Sequence, residues 1–313
     1  MKVLFLLVTL LVSQLAPAQD KKETKGLVFE NALSWTEVKA KAKLENKPIF
    51  IDAWTTWCGP CVYMNKKVFP EQQVGSFFNT NFINVKLQLD STTEDSDYVK
   101  SWYADAQRLM QEWNIQYFPT FIFLNPQGEL VHRAVGGSDT KTFIALGKDA
   151  LHPKSQFYTL KKEYDAGSRG AVLLYNLAKA ANRAGFDDLA KQVTRQYLAT
   201  QKNLFTKDNL MLLRASVRST TDDGFNVFLQ QGSKVDAVLG KEEAMNFVKS
   251  IITYQFLMPV LYSDEGPVKQ PNWKEAERII KQELKGISPA YLKSLLTSLK
   301  SNHLKQLKGE QPH

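Results

Sequence analysis

The sequence predicts an α/β sandwich followed by an all-α helical-hairpin domain. Three observations favour this division: strand and helix patterns alternate over residues 27–151, strand patterns are absent from residues 152–313, and Leu151-His152-Pro153 separates the two parts. The 313 residues are enough for two domains, and a hydrophobic content of 43% is enough to build their cores.

The first 18 residues have the pattern of a secretion signal. Lys2 precedes the apolar run 3–12, and Ala16-Pro17-Ala18 forms a small-x-small cleavage site. The run is short for a bilayer span, so we expect cleavage, secretion across the inner membrane, a periplasmic location and no integral membrane segment afterwards. An uncleaved anchor is the alternative. Residues 19–26 are expected to form a charged, flexible tail.

Sequence patterns in residues 27–151 predict the following helices and strands. Ser34 and Glu37 form a capping box that begins a helix ending near Glu45. Residues 48–53 have a strand pattern, and the run 49–51 within it is continuously apolar, as expected of a central strand buried on both faces. The remaining expected elements are an edge strand at 27–29, helices at 60–67 and 71–78, a strand at 82–89, a helix at 98–113, hairpin strands at 120–124 and 129–135, and a last helix ending near Ala150.

The chain has only two cysteines, Cys58 and Cys61, and two residues separate them. Cys58 falls at a predicted helix N-terminus, where backbone N–H groups and the helix dipole favour a thiolate. Gly59 and Pro60 allow the first turn to tighten so that the two sulfurs can meet. A structural crosslink is the alternative, but closing so small a loop gives little entropic stabilisation. The pair is therefore interpreted as redox-active.

The segment from Asp52 to Cys61 resembles the active-site segment of the thioredoxin family. The run 86–90 is similar to the family's central strand, which carries a lysine near the buried aspartate, and Phe118-Pro119-Thr120 resembles its cis-proline loop. Gly128 and Gly136 resemble the hairpin glycine and the glycine that ends the last strand. The resemblance implies a thioredoxin-like fold over residues 27–151, with a central mixed sheet flanked by helices.

The chemistry expected of this site is dithiol–disulfide exchange. Cys58, which should be the more exposed of the two, is expected to attack a client disulfide. Cys61, which should be less exposed, then attacks Cys58 and releases the reduced client. Asp52 lies in an apolar strand, so its pKa should be raised and it can accept the Cys61 proton. Its alternative is a solvated aspartate at the strand end. Lys86 either moderates the Asp52 charge or is a surface lysine.

Five residues are expected to contact the client: Trp57, Gly59, Pro60, Phe118 and Pro119. Trp57 is expected to be exposed, whereas Trp54 is expected in the core as a supporting residue. The family resemblance implies a cis peptide bond before Pro119. The insertion 91–113 precedes this loop; it either shapes substrate choice or only adds core.

Three functions are candidates for this protein. Residues 69–74 and 82–86 resemble the thioredoxin subgroup that includes the soluble C-terminal domain of transmembrane disulfide reductases, and Gly59-Pro60 is typical of reducing thioredoxins. The expected function is reduction of protein disulfides, with a membrane or soluble dithiol as electron donor. The alternatives are a disulfide oxidase or isomerase, and a client-binding protein whose helical part is the main functional part.

Other kinds of site have little support in the sequence. The four histidines are scattered, and two cysteines cannot form a Cys₄ zinc site. A copper site would need a histidine near the pair, and His132 is the candidate. No glycine-rich phosphate loop is present. We therefore expect no metal and no cofactor, and we expect no nucleic-acid partner. Residues 151–313 carry 24 Lys+Arg against 16 Asp+Glu, dispersed as on a solvated surface; an acidic partner or a membrane surface is the alternative.

The second part of the chain predicts helices separated by turn residues. Tyr175 to Tyr197 weakly resembles one tetratricopeptide unit, without a clear second copy, so a repeat array remains a hypothesis. The helices are expected at 154–164, 169–184, 187–199, 207–217, 225–239, 242–257, 273–284 and 289–307.

Overall fold

The structure is a computed structural model, and it describes residues 26–263, 266–268, 270–283 and 288–308. The expected signal peptide and residues 19–25 of the expected tail lie outside these ranges. Within them, the structure contains no helix that combines the length and apolar character needed to span a bilayer.

Four strands form a mixed sheet in the order β2-β1-β3-β4. β1 (Ile49–Trp54) runs parallel to β2 (Ile83–Gln88), whereas β3 (Thr120–Leu124) runs antiparallel to both β1 and β4 (Leu130–Val135). Every residue of β3 is buried, and so is every residue of β1 except its last. This burial explains the continuous apolar runs, because central strands are covered on both faces.

Helices cover both faces of the sheet, as predicted. Ser34 caps the first helix through the predicted capping box with Glu37. A five-residue π-helical turn, Met64–Val68, directly follows the second helix. The helices of this part are α1 (Trp35–Glu45), α2 (Gly59–Tyr63), α3 (Gln72–Asn81), α4 (Asp97–Ser101), α5 (Tyr103–Glu112) and α6 (Thr140–Leu151).

Each face of the sheet has its own hydrophobic core. One core packs α1 and α5 on the sheet and includes Trp35 and Leu109. The other packs the π-helical turn, α3 and α6 on the opposite face, and phenylalanines dominate it. Phe78 and Phe143 stack there with ring centroids 4.4 Å apart, and Phe50 lies beneath them. Since alternate strand residues share a face, Asp52 lies on the same face as Phe50.

Two expected elements of this part were wrong in detail. Residues 27–29 form no strand; the segment is extended beside β2, with the Asn84 amide donating to Val28 O and Glu30 N donating to Asn84 O. The side chain of Asn84 thus supplies one of the hydrogen bonds that backbone groups would make between two paired strands. The expected helix 98–113 divides at Trp102, a buried residue that ends α4 and begins α5.

The second part of the chain is largely helical. Its predicted lack of strands was wrong at one point, where Tyr262–Ser263 (β5) pairs with Gly266–Pro267 (β6). The expected helix 225–239 divides at Gln231, and 242–257 continues as a π-helical turn, Thr253–Leu257. The helices are α7 (Phe157–Asp165), α8 (Ala171–Ala184), α9 (Asp187–Ala199), α10 (Lys207–Ser216), α11 (Phe225–Gln230), α12 (Gly232–Leu239), α13 (Glu243–Ile252), α14 (Met258–Leu261), α15 (Trp273–Glu283) and α16 (Pro289–Leu307).

The helical part packs on strand β4. The imidazole Nδ1 of His132 accepts a hydrogen bond from Phe157 N, and the Arg133 guanidinium lies 5.2 Å from the centre of the Phe186 ring. Val135 contacts the turn between α8 and α9: a Cβ built on Gly185 would lie 3.2 Å from its Cγ2. Successive strand residues point to opposite faces, so the helices contact β4 from both of its faces.

Candidate active site

Cys58 and Cys61 form a disulfide at the first turn of α2, with their Cα atoms 5.2 Å apart. Cys58 is the N-cap residue, and its sulfur accepts a hydrogen bond of 3.1 Å from Cys61 N. Both residues are buried, with exposed fractions of 4% and 1%, so the expected difference in exposure is small. The helix N-terminus and this backbone donor favour negative charge on Cys58 once the pair is reduced.

Asp52 lies in β1 with 2% of its surface exposed, on the sheet face that the π-helical turn after α2 covers. Its strand neighbour in register is Lys86, and Lys86 Nζ lies 3.8 Å from Asp52 Oδ2. Burial raises the pKa of Asp52 to about 6, and the positive charge of Lys86 partly opposes this rise. A carboxyl with this pKa can exchange a proton near neutral pH.

Lys86 is half-buried rather than a free surface lysine. Its ammonium donates a hydrogen bond to Asn65 Oδ1 and lies 4.5 Å from the centre of the Trp54 ring. Burial lowers the pKa of Lys86, and the Asp52 charge opposes this. Trp54 is half-buried against this ammonium, so its expected core position was wrong in part. The ring packs beside a charge at the edge of the core.

The expected client-contact residues lie around the start of α2 and the loop before β3. The Phe118–Pro119 peptide bond is cis, and Pro119 is buried. Trp57 is 70% exposed, and its ring packs edge-to-face on Phe118 with centroids 5.6 Å apart. Gly59 and Pro60 are also exposed. Exposed aromatic surface next to the cysteine pair can contact an apolar client segment.

Sequence reasoning missed how the loop before Trp57 is fixed. Both carboxylate oxygens of Asp90 accept hydrogen bonds from Thr56 N, at 3.1 and 3.0 Å, and Oδ2 also accepts from Thr56 Oγ1 at 2.5 Å. Asp90 follows β2 with only Leu89 between, and this position was the available signal, because strand ends of a parallel pair share one edge. Asp90 therefore holds the loop that leads into Cys58.

The insertion 91–113 does two different things. Its helical part adds core, because Trp102, Leu109 and Trp113 are buried beneath α1. Its polar part folds around Asp95, which accepts hydrogen bonds from Tyr103 OH, Thr92 N and the Gln88 amide. These bonds, that of Tyr103 above all, hold the pKa of Asp95 below its usual range. The core contribution is thus clear, whereas a role in substrate choice stays a prediction.

His132, the histidine that a copper site would need, lies 2% exposed in the contact between β4 and α7. Its Nδ1 already accepts the Phe157 N–H. In the part of the chain that the structure describes, no three side chains of His, Cys, Asp or Glu are grouped to hold a metal ion.

Comparison with known proteins gives the same assignment for the first part of the chain. Residues 36–151 match a family described as a thioredoxin-like domain. Thioredoxin Asp f 28 of Aspergillus fumigatus is 32% identical over 98 residues, which are 31% of this chain and 74% of that protein. Thiol:disulfide interchange protein DsbD of Vibrio cholerae is 30% identical over 123 residues, which are 38% of this chain.

The DsbD relatives are much longer proteins, and the chain spans only about one fifth of their length, 19% in Vibrio cholerae and 22% in Yersinia enterocolitica. Among solved structures, one of a putative disulphide-isomerase from Bacteroides thetaiotaomicron is 32% identical and is covered over 96% of its chain, with 41% of this chain and a TM-score of 0.33. The match to Thioredoxin Asp f 28, over most of that protein, decides the assignment. The chain belongs to the thioredoxin family.

Proposed function

We propose that the protein is an exported thiol–disulfide oxidoreductase that reduces disulfides in client proteins. The observation that carries this proposal is the Cys58–Cys61 pair at the N-terminus of α2, on the same side of the sheet as buried Asp52. The names of the relatives support disulfide interchange, because DsbD is called a thiol:disulfide interchange protein. The leader-like residues 1–18 support export to the periplasm.

The reduction takes two exchange steps. The Cys58 thiolate attacks one sulfur of a client disulfide, and the other client sulfur leaves as a thiolate. Cys61 then gives its proton to Asp52 and attacks the Cys58 sulfur. The second client sulfur leaves as a thiolate, and the protein is left with the Cys58–Cys61 disulfide. A dithiol donor, soluble or membrane-bound, must reduce this disulfide before the next cycle.

The test uses the mature protein with insulin as client and a dithiol as donor. Wild type should reduce insulin, and Cys58→Ser should abolish the activity. Cys61→Ser should retain attack but lose release, so it should accumulate mixed disulfides visible by non-reducing electrophoresis. Equal activity of wild type and Cys58→Ser would exclude the pair as the catalyst. If Cys58→Ser traps as many clients as Cys61→Ser, the assigned order of attack is wrong.

The direction of transfer needs a separate measurement. Gly59-Pro60 between the cysteines supports reduction. The reduction potential of the Cys58–Cys61 pair should therefore lie nearer the roughly −270 mV of thioredoxin than the roughly −120 mV of a strong oxidase. A value near the oxidase end would favour the oxidase or isomerase alternative.

A second candidate function, client binding by the helical part, has one specific observation in its favour. A Cβ built on Gly185, in the turn between α8 and α9, would lie 3.8 Å from Tyr117, which directly precedes the cis-proline loop. Tyr117 is 55% exposed. A client crossing this loop therefore meets the helical part as well. The redox-inactive double variant C58S/C61S tests this function: undiminished client binding and cellular activity would show that binding is the main role.

A further inference from the structure

The π-helical turn Met64–Val68 changes which side chains the active-site helix directs at the sheet. Its wide turn is closed by a hydrogen bond of 2.9 Å from Phe69 N to Met64 O, five residues apart. A π turn inserts one residue into a helix and is often found at functional sites. Asn65, the second residue of this turn, is half-buried and contacts Lys86 on β2.

The Lys86 ammonium has two side-chain oxygen atoms nearby, but it forms a hydrogen bond with only one of them. It donates a hydrogen bond to Asn65 Oδ1, whereas Asp52 Oδ2 is 3.8 Å away, beyond hydrogen-bond range. The rings of Trp54, Phe29 and Phe69 surround the ammonium with centres 4.5, 5.2 and 5.6 Å away. Among the described residues, Asp52 Oδ1 has no hydrogen-bond partner. Asn65 therefore competes with Asp52 for the Lys86 ammonium, which has three N–H donors, and of Asn65 Oδ1 and Asp52 Oδ2 only the first is within hydrogen-bond distance.

We propose that Asn65 is a positioning residue that holds the Lys86 ammonium beyond hydrogen-bond distance of Asp52 and so keeps the Asp52 carboxylate able to accept the Cys61 proton. This inference rests on the proposed function for its purpose, but the coupling between Asn65 and Asp52 is a property of the folded protein. Asn65 is not itself expected to touch the client or the sulfurs.

The charge balance explains why the position of the ammonium matters. A contact ion pair stabilises a carboxylate strongly and makes it a weak base, whereas a more distant cation stabilises it less. A proton acceptor works best when its pKa lies near the working pH. Lys86 from β2 is the charged group that acts on Asp52, and Phe121, its neighbour in register on β3, carries no charge.

The test is a carbon NMR titration of the Asp52 side-chain carboxyl in the reduced full chain, with the signal assigned by its loss in Asp52→Asn. In Asn65→Leu, Lys86 loses its acceptor and moves to Asp52, so the Asp52 pKa should fall by about one unit. In the near-isosteric Asn65→Asp, the new carboxylate pairs with Lys86 and adds negative charge, so the Asp52 pKa should rise. Asn226→Leu, at an exposed position of α11, is the matched control and should leave the Asp52 pKa unchanged.

The second readout is the pH profile of client release, followed by rapid mixing with a disulfide client. The pH at which release is half-maximal should move down in Asn65→Leu and up in Asn65→Asp. If the Asp52 titration is the same in both variants as in wild type, the inference is wrong, whatever the activity. If the titration moves but no variant or wild type reduces a client, the coupling stands and the proposed function fails.

Discussion

Phe157 N donates a hydrogen bond of 3.0 Å to His132 Nδ1, and this bond joins the helical part to the last strand of the sheet. Because Nδ1 accepts, the proton of the neutral imidazole lies on Nε2. Burial lowers the pKa of His132 to about 3, and the positive charge of Arg183 adds to the effect. Protonation would place a second donor against Phe157 N, so the bond requires the neutral ring.

The first prediction concerns acid stability. The unfolded His132 takes up its proton near its ordinary pKa of 6.5, whereas the folded ring stays neutral down to about 3. The unfolded state therefore binds more protons in this window, and the free energy of unfolding falls as the pH drops from about 6.5 to about 3. The loss is roughly 3 kcal/mol at pH 4.

Urea unfolding between pH 4 and pH 7.5 measures this loss. His132→Asn keeps an acceptor but cannot titrate, so its unfolding free energy should depend less steeply on pH than that of wild type. The exposed His152→Asn is the control and should keep the wild-type slope. Equal slopes for wild type and His132→Asn would contradict the prediction.

The second prediction is that Asp52→Asn makes the folded protein more stable and slows the release of the client. The folded pKa of Asp52, about 6, lies above its ordinary 3.8, so its favourable contribution is present below about 3.8 and is lost as the pH rises through 6. Replacing the carboxyl should therefore raise the unfolding free energy by about 2–3 kcal/mol at pH 8, with no gain at pH 3.5.

Paired urea unfolding at these two pH values checks the gain, with the surface variant Asp188→Asn as control. Client release should slow more than client attack, because the Cys61 proton loses its acceptor. A variant that is less stable than wild type at pH 8 would show that the Asp52 charge is fully compensated in the fold.

The third prediction concerns Gly147, which lies inside α6 against the phenylalanine core. A Cβ at this position would lie 2.6 Å from Phe77 Cε1 and 2.9 Å from Phe78 Cζ. Alanine in a helix interior is ordinarily about 1 kcal/mol better than glycine, but overpacking a core costs about 1–3 kcal/mol. Gly147→Ala should therefore lower the melting temperature, whereas Gly59→Ala, at the first residue of α2 with open space around its Cβ, should not lower it. A higher melting temperature for Gly147→Ala would show that the two rings move aside freely.

The fourth prediction is that the exported protein begins at or near Gln19, because Ala16-Pro17-Ala18 fits signal cleavage. Mass spectrometry of the protein from the periplasmic and membrane fractions of an expressing cell gives its N-terminus directly. An intact Met1 or Lys2 there would favour the uncleaved anchor. Ala18→Arg should block processing and is the matched variant, since the small side chain is what the cleavage site requires.

Much of the fold could be predicted because its signals are local. The bounds expected for β3, α9 and α16 agree with the structure, since a buried apolar run or a long helical period fixes each of them without distant partners. Residues 27–29 had a similar apolar pattern, but the Asn84 side chain occupies part of the neighbouring edge. The helix divisions at Trp102 and Gln231 depend on tertiary packing, which overrides local helical preference.

The features of the candidate site also divide into those that the sequence predicts and those that depend on tertiary contacts. The position of the cysteine pair and of Asp52 follows from spacing and apolar context, and the pairing of Asp52 with Lys86 follows from the family resemblance. Asn65 had no such signal, because it reaches Lys86 only through a π-helical turn that the sequence pattern does not distinguish from an α-helix. The contact of the helical part with β4 likewise joins residues far apart in sequence.

Both edge strands of the sheet have another segment of the described chain packed against them. The segment before α1 lies along β2 through the bond from Glu30 N to Asn84 O, and the helical part holds β4 from both faces. Open edges recruit strands from other chains and begin aggregation. These contacts leave less of either edge strand accessible to a strand from another chain, so they should lower the tendency of the folded protein to aggregate through its sheet.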